Sequence, residues 1–488
     1  MNFSILDVII VILYLGGVTT YGILKGGKQK SAKDYFISDK AIPWWAVCFA
    51  IVATETSALT FISIPGVAYV GNLNFLQIAI GYIIGRIVVS YFLLPKYYEG
   101  ELLTAYAYLG KRFGAKTKNF ASSVFMITRV FADGVRLYAT AIPLALILRG
   151  WDVFPGAADW QIYSYSIVII AIITLAYTYM GGVRAVIWTD VIQMFIYIGG
   201  GVLAIYVLND RLQTGYTEII SQLSSAGKLN FFDFSFDFTK PYTIFASILG
   251  GGFLSMASHG TDQLIVQRLL TTDSLKSARK ALITSGFIVF FQFALFLIVG
   301  SLLYIFFNAE VMKSDEVFPK FIISYMPSGI SGIIIAGLLA AAMSTLSGSI
   351  SALSSTLVED IYKPYFGKDK TEKQLLKVSK VIALIWCTIL VFSAFLFMNS
   401  TQAVVVLGLS IASFTYGGLL GTFLLGVFFK RINQIPAMIG FACGITGMIF
   451  IIYFTKIAWT WYTLIGVIVT IVFANLASLI IKQEGEKK

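Results

Sequence analysis

Apolar residues fall in long runs separated by short polar connections. Thirteen runs stand out: 4–24, 43–70, 75–98, 120–149, 161–180, 187–208, 241–267, 281–307, 328–358, 377–398, 403–429, 435–455 and 459–481. A helix needs about 20 mostly apolar residues to cross the hydrocarbon of a bilayer. The runs lack the alternating polarity of barrel strands. The pattern therefore predicts an all-α integral membrane protein with about 13 transmembrane helices.

Two runs are interrupted. In 43–70 the stretch Thr54-Glu55-Thr56-Ser57-Ala58-Leu59-Thr60 is largely polar. In 241–267 a Gly250-Gly251-Gly252 cluster precedes Ser255, Ser258, His259, Thr261 and Asp262. Polar runs inside apolar spans suit helices unwound at mid-membrane; continuous helices with their polar faces turned into the bundle are the plainer reading. Interruptions at equivalent places in two halves point to inverted repeats. These two helices are the first and sixth of ten between residues 43 and 429. The expected organisation has five parts: an extra helix and basic loop (1–42), a first five-helix repeat (43–208), an extracellular loop (209–240), a second repeat (241–429), and two extra helices with a short tail (430–488).

Composition agrees. The chain is 58% hydrophobic and 12% charged, against about 25% charged in soluble domains. A soluble enzyme, a nucleic-acid binder and a disordered chain are thereby excluded. The net charge of +11 is unevenly spread. With the N-terminus outside, 26 basic residues fall in inner segments and 7 in outer ones. Cytoplasmic loops are the basic ones, so the expectation is an inner-membrane protein with an outer N-terminus and a cytoplasmic C-terminus. The first run has no basic flank ahead of it, so no cleavable leader is expected. The three cysteines lie in apolar runs and imply no disulfide framework, and the single histidine makes no multi-histidine metal site.

Charges inside spans are costly, and each is a functional hypothesis. Arg129, Asp133 and Arg136 share one helical face. One reading is an ion-pair ladder between helices; the other is an arginine facing a pathway and holding an anion. Arg86 has no obvious partner and is expected to snorkel or to pair with a neighbouring helix. His259 is as readily a bundle residue as a ligand. In 328–358, Ser344 and Thr345 are adjacent hydroxyls one turn after a small-residue run. With a nearby carbonyl they can converge on a hard cation. Ser349 to Ser355 are read as close-packing residues.

Several motifs together resemble the sodium:solute symporter family. They are Met180-Gly181-Gly182-Val183-Arg184-Ala185-Val186-Ile187-Trp188-Thr189-Asp190, Asp34-Tyr35-Phe36 before Pro43-Trp44-Trp45, Thr261-Asp262-Gln263-Leu264-Ile265-Val266-Gln267-Arg268, and Leu339 through Asp360-Ile361-Tyr362-Lys363. The resemblance implies a leucine-transporter-type fold with five-plus-five inverted helices and sodium-driven alternating access. It implies a main sodium site from the carbonyls of Ala53, Thr56 and Ala341 and the hydroxyls of Ser344 and Thr345. In some members a second sodium binds; Asp190, Ser344 and Ser347 fit that pattern, with Gly348 where a further hydroxyl often stands.

Candidate substrate residues are Glu55, Ser57, Thr60, Phe75, Arg129, Asp133, Arg136, Ser255, Ser258, His259 and Asp262. Thr60, Ala79, Ser255 and Leu409 stand at four positions where sugar carriers of the family place other groups. An organic anion of the sialic acid, monocarboxylate or vitamin type is therefore favoured, with a sugar as the alternative. A channel, a transporter-like receptor or a membrane-embedded enzyme fits less well. The bilayer and a small solute are the expected partners, and the chain is expected to work as a monomer.

Overall fold

A computed structural model describes residues 4–38, 42–56, 58–99, 102–398 and 404–481, and among these there is no β-strand. The principal helices are α1 (Ile5–Gly26), α2 (Trp44–Glu55), α3 (Ala58–Val70), α4 (Gln77–Val88), α5 (Ala115–Gly150), α6 (Asp159–Leu212), α7 (Gly251–Gly260), α8 (Gln263–Leu269), α9 (Leu275–Phe306), α10 (Ser314–Tyr325), α11 (Ile330–Thr356), α12 (Glu372–Phe395), α13 (Val404–Phe428), α14 (Gln434–Phe454) and α15 (Tyr462–Ile480).

Small residues set the layout. Helices associate in lipid where backbones approach closely. The Ala- and Ser-rich α11 lies along α6 and beside α2 and α5, and 88% of its most apolar stretch is buried. For α1 the figure is 17%, and for α14 and α15 it is 33%. Those three helices face outward: α1 rides on α6, while α14 and α15 pack on each other and on α13. Their exposed Leu, Ile and Phe side chains make the apolar belt that a bilayer solvates.

Both interruptions are real breaks. The axes of Trp44–Glu55 and Thr60–Val70 differ by 58°. Between α7 and α8 the chain leaves helical geometry at Thr261 and Asp262 (φ −82°, ψ 121°). Asp262 caps α8, its Oδ1 accepting from the Leu264 amide at 2.8 Å. A side-chain oxygen there satisfies a donor that the helix start leaves free.

The structure revises two details. Runs 161–180 and 187–208 join through a kink instead of a loop, with Gly182 at φ 60°. A Cβ there would lie 2.7 Å from the Tyr35 carbonyl oxygen, so both conformation and space require glycine. Among the described residues, eleven helices, or twelve with the bent α2–α3 pair, are long and apolar enough to cross a membrane. The remaining predicted span falls on α7 and α8, neither of which is long enough alone.

The connection 209–240 is stapled to the bundle by Lys228, whose ammonium donates to the carbonyls of Tyr69 (2.6 Å) and Gly71 (2.8 Å).

Candidate transport site at the two helix breaks

A cavity opens where the breaks meet. Glu55, Thr60, Phe75, Arg129, Arg136, Ser258, His259 and Asp262 line it, together with Thr54, Tyr82, Phe293, Leu409, Ala412 and Tyr416. Eight sequence-predicted residues are thus brought to one place from α2, α3, the turn before α4, α5, α7 and the α7–α8 break. Three are not in that lining. Ser57 lies outside the described residues. Ser255 is buried and donates to the Tyr82 carbonyl at 3.0 Å, tying α7 to α4. Asp133 stands behind the arginines and does not face the cavity.

The charge network explains why. Arg129 forks onto Asp133 with Nε–Oδ2 2.7 Å and Nη2–Oδ1 2.8 Å. Its Nη1 donates to Asp262 Oδ2 at 2.8 Å, and the Tyr416 hydroxyl donates to the same oxygen. Ser349 donates to Asp133 as well, so this hydroxyl does more than pack. Arg136 reaches Asp133 Oδ1 at only 3.4 Å, and its side chain is 20% exposed. Asp133 is already held on both oxygens. Arg129 is therefore the structural arginine, and Arg136 presents its donors to the cavity.

The sequence left the surplus positive charge unassigned; Asp262 compensates it from the opposite broken helix. Glu55 is committed elsewhere. It pairs with the fully buried Arg86, which also donates to Ser285 Oγ at 2.6 Å, so Arg86 does not snorkel. His259 adds to that cluster, with Nε2 3.5 Å from Glu55 and Nδ1 2.8 Å from Ser258 Oγ.

A third pair, Arg268 Nη2 to Asp190 Oδ2 at 3.0 Å, joins α8 to α6. Together these three networks hold four arginines (Arg86, Arg129, Arg136, Arg268) and four carboxylates (Glu55, Asp133, Asp190, Asp262).

Because Arg129 and Asp133 are buried, removing one charge should be destructive. We expect Asp133→Asn to lower stability by about 3–5 kcal/mol, since a buried cation is left uncompensated. A thermal melt of purified protein in detergent checks this; an unchanged midpoint would contradict the assigned pairing.

Two of the residues expected to hold a cation neighbour this cavity: Thr56 follows Glu55 of its lining, and Thr345 shares a small void with Arg136. α2 ends at Glu55, and a helix end leaves its last carbonyls without intrahelical donors. The Thr56 hydroxyl lies within hydrogen-bond reach of the Val52 carbonyl (2.6 Å) and Gln292 Oε1 (2.9 Å), which fixes its orientation. Ser344 is fully buried, and its Oγ has no hydrogen-bond partner among the described residues. Thr345 is buried and borders a small void shared with Asp133 and Arg136. Ser347 donates to the Ser344 carbonyl at 3.0 Å. A buried hydroxyl that makes no close hydrogen bond and neighbours the Asp190 carboxylate fits an oxygen-ligated cation.

Several participants were not legible in the sequence: Tyr82, Phe293 and Tyr416 in the lining, Ser349 on Asp133, and Arg268 on Asp190. The aromatic residues and Ser349 are ordinary members of apolar or small-residue runs, and Arg268 follows such a run; the groups they meet are remote in sequence.

Comparison with known proteins gives a consistent result. The family model described as the sodium:solute symporter family matches residues 35–447. The chain is 30% identical to the sodium/sialic acid symporter of Proteus mirabilis, over 95% of this chain and 93% of that one. It is 29% identical to the sodium/sialic acid symporter of Aliivibrio fischeri, over 99% and 94%. A solved structure of a Na+-coupled sialic acid symporter, substrate-bound, outward-open and described as revealing a novel Na+ site, superposes with a TM-score of 0.88 at 28% identity, covering 98% of this chain and 99% of that one. Family match, relatives and fold agree over nearly the whole length, and the chain belongs to the sodium:solute symporter family.

Proposed function

We propose that the chain imports a small organic anion with sodium across the cell membrane by alternating access, with a sialic acid as the favoured substrate. Arg136 carries the reading. It is a guanidinium on the cavity wall whose only ion-pair partner among the described residues is long and already shared. A planar guanidinium matches a carboxylate in bidentate geometry. The aromatic walls from Phe75, Tyr82, Phe293 and Tyr416 supply apolar surface beside it. The sialic acid symporters among its relatives support the choice within the anion class.

Sodium is the coupling ion. Its proposed ligands are the carbonyls of Ala53, Thr56 and Ala341 and the hydroxyls of Ser344 and Thr345. The basic bias of alternate connections supports an outer N-terminus, thirteen crossings and a five-plus-five core, and we take the working unit to be one chain.

In this orientation the cytoplasmic half of the broken helix is α8. All seven residues from Gln263 to Leu269 are buried. Gln263 donates to the Leu103 carbonyl (3.1 Å) and accepts from the Ala105 amide (2.8 Å). Gln267 donates to the Phe36 carbonyl (2.7 Å). Release inward requires these contacts to part.

The test is uptake into proteoliposomes. An inward sodium gradient should drive accumulation of labelled N-acetylneuraminate, and an equal potassium gradient should not. Lactate, biotin and glucose serve as competitors. Sodium-driven glucose uptake without anion uptake would overturn the anion reading.

A further inference from the structure

We propose that the stretch 231–239 is an interfacial anchor: four phenylalanines of the connection before α7 sit in the headgroup region of the bilayer and fix there the chain that leads into the second broken helix. Only a membrane-spanning chain is required, whatever the substrate and ion.

The run Phe232-Asp233-Phe234-Ser235-Phe236-Asp237-Phe238 places phenylalanine at every second position. A period of two puts such residues on one side of an extended backbone. The segment is not helical, and its four rings are the exposed side, at 44–71% of their surface. Asp233, Ser235 and Asp237, between them, are half-buried. A loop in water turns its polar side out; this one turns out its rings. A contiguous exposed apolar patch of this kind marks a contact surface.

The strip runs on into the lipid-facing belt, which identifies the bilayer as its partner. The Phe236 ring packs on Phe245 at 5.3 Å, and Phe245 and Leu249 are exposed where the span of α7 begins. Phe238 packs on Trp461 at 4.9 Å, at the head of α15. Aromatic residues gather at this level of a membrane.

The backbone is also prepared to leave water. The carbonyls of Asn230, Asp233 and Phe238 accept from the amides of Leu73 (3.1 Å), Ile244 (2.8 Å) and Ala458 (2.8 Å). The amides of Ser235 and Thr239 donate to the carboxylates of Asp233 and Asp237, both at 2.8 Å. A non-helical chain can approach lipid only when its polar groups have protein partners.

The anchor reaches the transport cavity. Gln77 Nε2 donates to the Tyr242 carbonyl at 2.9 Å, and the Tyr242 ring meets Phe75 of the cavity wall edge-on at 5.1 Å. The level of the strip in the membrane is thereby passed to α4 and to the wall.

The experiment uses the full chain with Cys443→Ala, since Cys48 and Cys387 are buried. Single variants Phe232→Cys, Phe234→Cys, Phe236→Cys, Phe238→Cys, Ser235→Cys and Asp237→Cys carry a nitroxide in vesicles of phosphatidylethanolamine and phosphatidylglycerol. Power saturation reads collision with oxygen, which concentrates in lipid, and with a water-soluble nickel chelate. Oxygen access should exceed nickel access at the four phenylalanine positions, and this excess should be lost at 235 and 237. Nickel access at all six would place the strip in water. Shielding of the phenylalanine positions from both reagents would mean that a protein surface, such as a second copy, covers them. Either result overturns the anchor. With the label at 238, Phe234→Ser together with Phe236→Ser should shift it toward nickel, whereas Phe234→Leu together with Phe236→Leu should not. A monodisperse serine variant whose label stays in lipid overturns the role given to those two rings.

Discussion

Arg136→Lys should weaken binding of a carboxylate substrate about 10- to 100-fold while leaving the protein folded. A hydrogen bond to a charged group is worth about 1.5–3 kcal/mol, and lysine offers a point charge where arginine offers a fork. Arg136 can lose its planar head at small structural cost because its protein contact is the long 3.4 Å approach to Asp133. Arg129→Lys should behave in the opposite way. Arg129 makes three close contacts, two to Asp133 on its own helix and one that joins α5 to the break at Asp262. Its loss should reduce folded yield and melting temperature, with substrate affinity in the surviving fraction little changed. Titration of both variants with N-acetylneuraminate, alongside their melts, separates the roles. If Arg136→Lys binds normally and Arg129→Lys binds a hundredfold more weakly at unchanged stability, the assignments must be exchanged.

The contrast shows what a sequence can carry. Spans are legible because the bilayer fixes their length and their solvent. The breaks are legible because a polar run such as Thr54 to Thr60 has no place on a lipid face. The Arg129–Asp133 pair is legible because helix geometry brings residues four apart together. The partner of the remaining charge was not. Asp262 lies on another helix, 133 positions away. Glu55 looked available from the sequence, yet Arg86 claims it from α4. Asp190 had Arg184 as a neighbour in sequence, but the bundle gives it Arg268. Local periodicity fixes which face a charge occupies. The packing of α2, α5, α8 and α11 decides whom it meets. Gly348 is the clearest instance: in the sequence it reads as a missing hydroxyl, and in the structure it is the space for a guanidinium.

Ser344→Ala together with Thr345→Ala should abolish sodium dependence of binding and leave little sodium-driven uptake. Two of the five proposed oxygen ligands are removed, and the other three are backbone carbonyls that substitution cannot touch. The fold should tolerate the change. Ser344 Oγ makes no close hydrogen bond among the described residues and has the Asp190 carboxylate as its polar neighbour, so its removal costs little. Alanine also suits the close packing of α11 against α6. Coupling is reciprocal: if sodium tightens the anion, the anion must tighten sodium by the same factor. The double variant should therefore lose both effects together, its anion affinity becoming equal in sodium and in potassium. Thr345 also borders the void beneath Asp133 and Arg136. The single variant Thr345→Ala should then disturb anion affinity at saturating sodium, whereas Ser344→Ala should shift only the sodium requirement. Wild-type sodium dependence in the double variant would place the ion elsewhere. Equal behaviour of the two single variants would remove the link between Thr345 and the arginines.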